Sequence, residues 1–423
     1  MNDTRISFSS IHDICRPVSK EDLNPLADEN TIHTRVEVPQ FPPASRLISE
    51  TGDEFFGCRT LYNTQNGGGP VLVRQTGRGN SFLAHFKDVF MAHDVMCLIA
   101  DGNKVVFPNS FNEFTPYNAL NHYLCRSRMT HSILRTGSRG EREWEHYLRP
   151  PAPEEREMTI AGPLVLMSNM VSMSYFHFLL DVVPKLWVFD EWPELRQYPI
   201  LISPMGDKFE QALADLIGVP RSQFFVLSPA VVGRFTFKHL LFPSGFCDRT
   251  ITRERIEFTR RKVGAVPSTG PRRRIYLSRV DRPYKTVQNE LEVQKLLVSY
   301  GFEIHIGALL SVADQAKLFS ETEMLVAVGG GGFTNMMFMQ PGAVVMELTQ
   351  RHPSMTDGGS IIFLELANLC KLNHMIFTSQ LDYYHLPRGN IDLCPDHTTA
   401  MHYDIDRLRL AIEEGISLIG ASA

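Results

Sequence analysis

Cysteine is scarce in this sequence, and the few cysteines do not form a stabilising framework. Seven occur among 423 residues, at positions 15, 58, 97, 125, 247, 370 and 394. The number is odd and no Cys-x-x-Cys pair is present, so neither a set of disulfides nor a structural zinc ribbon is expected. A reducing compartment is the simplest setting for such a chain.

Long apolar runs and a dominant charge sign are lacking as well. No stretch of about 18 uncharged apolar residues occurs, so no membrane-spanning helix is expected. The first residues, MNDTRISFSSIHDICRPVSK, have no apolar core of a signal peptide. These absences predict a soluble, cytoplasmic protein. The net charge of −5 argues against a general nucleic-acid binder.

What is present is the composition of an ordinary globular protein. Hydrophobic residues make up 43% and charged residues 21%, which excludes disorder as the main state. At roughly 150 residues per domain, the length predicts two domains. We expect an N-terminal arm over 1–35, an N-terminal domain over 36–265 with an irregular, β-containing first part, a C-terminal domain over 266–400 and a C-terminal helix over 401–423. The Gly-, Pro- and Ser-rich segment 264–271 predicts the domain boundary.

Regular alternation of strands and helices is clearest in the C-terminal domain. Asn289 and Glu292 have the spacing of a capping box, which predicts a helix that starts at Asn289 and ends at Gly301. Ser311 predicts the start of the next helix. Short apolar runs predict strands at 274–277, 302–306, 325–328, 344–348 and 375–378. The alternation predicts an α/β fold with a parallel, doubly wound sheet, which binds ligands at the carboxyl ends of its strands.

Four glycines, Gly329, Gly330, Gly331 and Gly332, follow one of these strands and precede a helix. Without side chains, their backbone amides and the helix N-terminus can approach a phosphate, and Thr334 and Asn335 can add side-chain donors. The run is neither a Walker A loop nor a dinucleotide fingerprint, because no GK[ST] follows and position 335 is asparagine. A tight strand-to-helix turn with no ligand is the alternative.

Charged residues follow the neighbouring strands. Ser278, Arg279, Arg282 and Lys285 form a cluster that could pair with phosphate oxygens, with a solvated charge run as the alternative. Glu347 ends an apolar run, where a carboxylate could accept hydrogen bonds from a ribose diol. A surface carboxylate just past the strand is the alternative reading of Glu347.

A second candidate site lies in the N-terminal domain. Residues 175–189 have helical periodicity and are apolar nearly all round, which predicts a buried helix with a kink or a boundary at Pro184. His177 and Asp181 are four residues apart and so share a face of that helix. An imidazole oriented by a carboxylate could remove a proton from a hydroxyl group, and a satisfied core pair is the alternative.

Two metal-like patterns are discounted, so no metal site is predicted. Asp404 and Asp406 directly precede an amphipathic stretch, which favours helix capping. Cys394, His397 and His402 have loosely metal-like spacing, but no matching ligand pair stands nearby.

The ordered set of motifs resembles a known family. The segment YFHFLLDVVPKL at 175–186 resembles the Y-x-H-F-L-x-D-x-x-P-R-L signature of glycosyltransferase family 61. That family includes EGF-domain O-GlcNAc transferases, plant xylan transferases and bacterial capsular-polysaccharide proteins. The resemblance covers roughly residues 160–350. Further residues match the family in order, namely Tyr276 to Arg279, Asn289, Glu290, Gln315, Gly332 to Asn335, Phe338, Pro341, Gly342 and Glu347.

The resemblance implies a GT-B fold, in which two Rossmann-like domains lie on either side of a cleft. The C-terminal domain would hold a nucleotide-sugar donor, a UDP-sugar as the first choice, through Ser278, Arg279, Lys285, Asn289, Gly330 to Gly332, Thr334, Asn335 and Glu347. The N-terminal domain would bind a hydroxyl acceptor such as a glycan, as in polysaccharide biosynthesis. The implied reaction is an inverting, metal-independent hexosyl or pentosyl transfer that needs no cofactor.

One departure from the family pattern stands at Gly329. Relatives carry His-Gly-Ala-Gly-Leu-Thr-Asn, and here glycine takes the histidine position. This motivates a second hypothesis, a catalytically silent protein that binds a nucleotide-sugar or a partner. A third reading of the glycine run is a nucleotide-dependent oxidoreductase that binds NAD(P). The sequence predicts neither the sugar, the acceptor nor the oligomeric state.

Overall fold

The computed structural model divides the chain into two units. It describes residues 4–8, 14–34, 45–47, 54–55, 58–62, 72–74, 81–93, 97–100, 104–106, 125, 127–136, 142–168, 172–245, 251–265, 272–282, 285–349, 358–379 and 401–421. Unit 1 comprises Met1–Pro42 and Thr76–Thr250, and unit 2 comprises Pro43–Gln75 and Ile251–Ala423. Both strands and helices occur in the chain, so the predicted α/β class is confirmed.

The elements are numbered in chain order. The strands are β1 (Thr4–Phe8), β2 (Arg16–Val18), β3 (Thr31–Thr34), β4 (Ser45–Leu47), β5 (Glu54–Phe55), β6 (Cys58–Tyr62), β7 (Leu72–Arg74), β8 (Phe82–Ala92), β9 (Cys97–Ala100), β10 (Lys104–Val106), β11 (Thr130–Thr136), β12 (Arg142–Leu148), β13 (Arg156–Leu166), β14 (Ile200–Ile202), β15 (Phe224–Val226), β16 (Gly233–Pro243), β17 (Arg273–Ser278), β18 (Phe302–Ile306), β19 (Thr322–Val328), β20 (Val344–Thr349) and β21 (Asn373–Thr378). The α-helices are α1 (Tyr175–His177), α2 (Trp187–Glu191), α3 (Asp207–Ile217), α4 (Arg253–Lys262), α5 (Glu290–Ser299), α6 (Val312–Ser320), α7 (Gly358–Leu369) and α8 (Ile405–Ala421).

Unit 1 is built on a 12-stranded sheet. Its main path runs β11-β12-β1-β10-β9-β8-β16-β13-β14-β15, and β2 and β3 join through a β3–β8 pair. The last four strands of the path are parallel to one another. Apolar side chains of β8, β13 and β16 pack into one core, which includes Phe86, Leu164 and Phe237.

A helical run over 175–191 follows β13, and residues 178–189 are buried as predicted, whereas 175–177 are only partly buried. It comprises α1, a π-helical turn at Phe178–Val182, a 3-10 turn at Val183–Leu186, and α2. The change of helix type coincides with Pro184, which has no N–H to donate to the residue four positions back. The sequence therefore predicted the helical run and a change at Pro184, but not the π-helical turn that begins at Phe178.

The N-terminal arm predicted over 1–35 differs from the structure. β1 pairs with β10 and β12, and β3 pairs with β8, so this segment contributes strands to the sheet of unit 1. Strands of three to five residues are too short to show a clear alternation of apolar and polar side chains. Apart from the β2–β3 pair, the pairing partners of these strands lie far along the chain, where local sequence patterns do not reveal them.

Unit 2 contains the predicted parallel sheet. β18, β17, β19, β20 and β21 are neighbours in that order and all run parallel, followed by β6 and β5. The chain proceeds from β17 outward to β18 and then returns to the other side of β17 at β19. The gap between the carboxyl ends of β17 and β19 is therefore a topological switch point, the usual ligand position in such sheets. α8 covers one face of this sheet through Leu408, Ile412 and Leu418.

The boundaries of the units differ from the domain boundaries predicted from composition. α4 lies before the Gly- and Pro-rich segment, yet it belongs to unit 2, where Arg260 donates hydrogen bonds to the carbonyls of Met337 and Met339. Residues 43–75 also belong to unit 2, because β6 pairs with β21. Composition predicted a boundary at the Gly-, Pro- and Ser-rich segment, whereas packing contacts decide which unit an element joins.

Candidate functional site

The glycine run lies at the switch point of unit 2, directly after β19. A Cβ atom added to Gly329 would collide with Glu347 Oε1, and one added to Gly330 would collide with Arg279 Nη1. A Cβ on Gly332 would collide with Leu277 Cδ2. Positions 329, 330 and 332 are therefore glycine because side chains of β20, of β17 and of the residue after β17 approach the backbone closely.

A 3-10 helix, Gly331–Phe338, begins within the run. Its first N–H groups have no acceptor within the helix, as at any helix start. Asn335 is fully buried and its Nδ2 donates to Gln315 Oε1 at 2.9 Å and to the Gly332 carbonyl at 3.0 Å. Asn335 thus holds the turn in shape. Thr334 is also fully buried, and its Oγ1 makes no hydrogen bond to the described residues.

Two cationic side chains border the run. Arg279 follows β17 and lies against Gly330, while Lys285 Nζ is 3.4 Å from the Gly329 carbonyl oxygen. Lys285 has a φ of 52°, in the left-handed region that a lysine rarely adopts. Backbone strain of this kind persists where the surroundings hold it, and it is common at ligand sites. The predicted basic cluster is thus partly assembled, with Arg282 instead paired to Asp281.

Ser278 and Asn289 support the loop between β17 and α5. Ser278 Oγ donates to Glu290 Oε1 at 2.6 Å, and Tyr276 Oη donates to Glu290 Oε2 at 2.9 Å. Burial, with the nearby Glu290 charge, holds the pKa of Tyr276 well above its usual value. Asn289 begins α5 as predicted, but its side chain makes no capping bond. Its amide instead donates to the Tyr403 carbonyl and accepts from the Tyr403 N–H.

Glu347 is only 2% exposed, so it is not the surface carboxylate of the alternative reading. Its Oε2 is 3.4 Å from Nε2 of His374, a fully buried residue on β21. Tyr403 lies nearby, and burial raises its pKa well above the usual value, with the charges of Glu347 and Glu290 adding to the effect. The sequence analysis missed His374, whose only signal is its position on the strand that follows the strand of Glu347.

In unit 1, the predicted pair of His177 and Asp181 is formed. His177 Nδ1 is 2.6 Å from Asp181 Oδ2, although the turn between them is π-helical. The His177 side chain is 22% exposed and that of Asp181 is 2% exposed. Phe176 packs edge-on against the imidazole at a centroid distance of 5.1 Å. An imidazole held by a buried carboxylate and partly open to solvent is suited to proton transfer.

The two sequence patterns discounted as metal sites do not form a metal-binding cluster in the described residues. Asp404 Oδ1 accepts a hydrogen bond from the Arg407 N–H at 3.0 Å, so it caps α8 as predicted. Cys394 and His397 lie outside the described residues. No cluster of three or more His, Cys, Asp or Glu suited to a metal ion occurs in the described part of the chain.

Arg260 is a second residue that sequence reasoning missed. It lies on α4 and donates to the carbonyls at the C-terminal end of the 3-10 helix Gly331–Phe338. No local pattern links Arg260 to a helix 77 residues later. Its guanidinium links α4 to the 3-10 helix that begins within the glycine run.

Comparison with known proteins gives one family match. A family model described as Glycosyltransferase 61 matches residues 175–346, from the start of α1 to the residue before Glu347. No curated protein matches the chain. Among the described helices, none has the length and apolarity needed to cross a bilayer. The matched stretch contains both the His177–Asp181 pair and the glycine run, and the match supports membership of glycosyltransferase family 61.

Proposed function

We propose that this glycosyltransferase transfers a hexose or pentose from a nucleotide-sugar, a UDP-sugar in the first instance, to a hydroxyl group of a glycan or related acceptor. The observation that carries the donor assignment is the convergence of Arg279, Lys285 and the start of a helix on one glycine run. That run lies at a topological switch point. Such a set of donors and cations suits a diphosphate.

The proposed reaction is a single displacement with inversion and without a metal ion. The acceptor oxygen attacks the anomeric carbon, and its proton passes to the imidazole of His177. The bond from the anomeric carbon to the diphosphate oxygen breaks, and the electron pair leaves with the nucleoside diphosphate. Arg279, Lys285 and the amides of the glycine run would stabilise that developing negative charge, where electrostatic stabilisation acts most.

His177 is the proposed base because Asp181 orients it. With Nδ1 donating to Asp181, the proton from the acceptor would go to Nε2. The buried carboxylate would also stabilise the imidazolium that forms. Under this proposal the two units correspond to the two domains of a GT-B enzyme, unit 1 taking the acceptor and unit 2 the donor. A cytoplasmic location belongs to the same proposal.

The test measures donor consumption by the purified full-length chain. We expect His177→Ala to lower turnover by about 100-fold or more, since loss of a general base costs this much. Thermal stabilisation by UDP should be unchanged, because the base lies in unit 1 and the proposed donor site in unit 2. Full turnover in His177→Ala together with loss in Asp181→Asn would contradict the assignment of the base.

A second candidate is a catalytically silent, nucleotide-binding relative. Gly329 replaces the family histidine, and the carboxylate of Glu347 occupies the space of a side chain at this position. Stabilisation by UDP without consumption of any UDP-, GDP- or CMP-sugar would favour this candidate. Stabilisation by NAD(P) but not by UDP would instead favour the oxidoreductase reading.

A further inference from the structure

A buried acid–base pair lies beneath the proposed diphosphate site. Glu347 on β20 and His374 on β21 belong to adjacent parallel strands, and their side chains approach to 3.4 Å between Oε2 and Nε2. Glu347 is 2% exposed and His374 is fully buried. Neither residue takes part in the role that the sequence assigned to the glycine run, and His374 lies beyond the family match.

The environment of the pair makes each partner dependent on the other. Within the described residues, neither Glu347 Oε2 nor either ring nitrogen of His374 makes a hydrogen bond. The Phe333 ring lies 6.1 Å from the imidazole, and Phe363 packs edge-on against Phe333. A carboxylate that is only 2% exposed is costly unless a partner compensates it. His374 is that partner.

The other oxygen of Glu347 contacts the glycine run. Oε1 occupies the space where Gly329 would carry a Cβ atom. On its other side, the backbone of Gly329 accepts the contact from Lys285 Nζ. The carboxylate therefore lies between His374 and the backbone that precedes Gly330. Any rotation of the Glu347 side chain away from His374 would move the carboxylate out of contact with Gly329.

We infer that His374 is a positioning residue: it holds the Glu347 carboxylate against Gly329 and so fixes the direction of the diphosphate-binding amides. This inference rests on the proposed function. It assigns Glu347 to support of the loop and not to the ribose contact predicted from the sequence. It also gives a reason for glycine at position 329, since the Glu347 carboxylate fills the space that a side chain would need there.

The experiment measures the affinity of the full-length chain for UDP, 2′-deoxy-UDP and inorganic pyrophosphate by calorimetry. The variants are His374→Phe, His374→Gln, Glu347→Ala, Gly329→Ala and the two double variants of Glu347→Ala with His374→Phe and with Gly329→Ala. His305→Phe is the matched control, because His305 is on β18 of the same sheet and contacts Glu303. Melting temperatures monitor folding.

We expect His374→Phe to lower the affinity for UDP, 2′-deoxy-UDP and pyrophosphate by the same factor, about tenfold. A loss of this size is expected when a buried charged group loses its partner. His374→Gln keeps a donor and should recover most of that loss, which a purely structural role of the ring would not produce. The affinity of each double variant for these ligands should be no lower than that of whichever of its two single variants binds less tightly. His305→Phe should bind as the unmodified chain does.

Other outcomes separate the inference from the proposed function. Binding by His374→Phe equal to that of the unmodified chain overturns the inference and leaves the proposed function intact. Loss of UDP affinity with unchanged pyrophosphate affinity overturns it in favour of a ribose contact. If the unmodified chain binds neither UDP nor pyrophosphate, the proposed function fails and the inference fails with it.

Discussion

Single residues in the glycine run have separate physical reasons to be glycine. Gly329 accommodates Glu347, Gly330 accommodates Arg279 and Gly332 accommodates Leu277. The sequence predicted a turn that could bind an anion, because consecutive glycines after a buried strand allow it. The sequence did not predict these neighbours, because they lie on β20 or at the end of β17 and reach the loop only in the folded sheet.

Gly330 offers the sharpest test at the residue scale. In Gly330→Ala the new methyl group would displace the end of the Arg279 side chain, which is flexible, so the fold should survive. We expect the affinity for UDP to fall by about tenfold, because one charge-assisted contact to the diphosphate is lost. Calorimetric titration with UDP measures it.

Gly162→Ala is the control for this substitution. Its Cβ atom would meet nothing within 4 Å, so its UDP affinity should equal that of the unmodified chain. Equal affinity of Gly330→Ala and the unmodified chain would exclude Arg279 from the diphosphate contact.

At the scale of elements, the start of α5 shows where local patterns stop being informative. The Asn-x-x-Glu spacing correctly predicted that α5 starts after Asn289. The expected capping bond is absent, because the Asn289 amide pairs with the backbone of Tyr403, 114 residues later. A short bridge between Val287 and Met401 continues the same contact. The position of a helix start can be predicted from local sequence, but the hydrogen bonds of a buried amide side chain depend on its tertiary partner.

Asn289 therefore clamps the segment before α8 onto the loop that contains Lys285. We expect Asn289→Ala to lower the free energy of unfolding of unit 2 by about 1–3 kcal/mol, since it leaves the buried Tyr403 N–H and carbonyl without their partner. Asn289→Asp keeps the acceptor but places a buried carboxylate against the Tyr403 carbonyl and Glu292 Oε2, so its loss of stability should be at least as large. Urea unfolding monitored by far-UV circular dichroism measures the free energy of unfolding of both variants.

The outcome of this comparison also decides the role of Asn289. If Asn289→Ala keeps full stability but loses UDP affinity, Asn289 contacts the donor directly, as the family resemblance implied. If stability and affinity fall together, the effect on binding passes through the clamp.

At the scale of the molecule, the sequence predicted two compact parts and a parallel sheet in the second. It did not predict that β1 to β3 join the sheet of unit 1, or that α4 and residues 43–75 belong to unit 2. The parallel strands were predictable because each is a short apolar run next to a helix of clear period. β1, β3 and β6 pair with strands in distant parts of the chain, and composition does not encode such pairing.

Each unit has its own hydrophobic core, which leads to a prediction about unfolding. Phe86 and Phe237 belong to the core of unit 1, and Val326 and Ile412 to that of unit 2. Because chains with separate cores often depart from two-state behaviour, we expect two transitions in scanning calorimetry. A Cβ atom on Gly415 of α8 would meet both Met324 Cε and Met375 Sδ, which are buried in the core of unit 2. Overpacking a core costs about 1–3 kcal/mol, more than the about 1 kcal/mol that alanine gains over glycine in a helix, so Gly415→Ala should lower only the transition of unit 2.

UDP should act on the same transition that Gly415→Ala lowers. A ligand at about 100 times its dissociation constant stabilises the unit that binds it by about 2.7 kcal/mol. Because the glycine run, Arg279 and Lys285 all belong to unit 2, that increment should raise the midpoint of the unit 2 transition and leave the other unchanged. A shift of the transition that Gly415→Ala does not affect would move the donor site to unit 1. A single transition that both Gly415→Ala and UDP shift as a whole would show that the two cores unfold together.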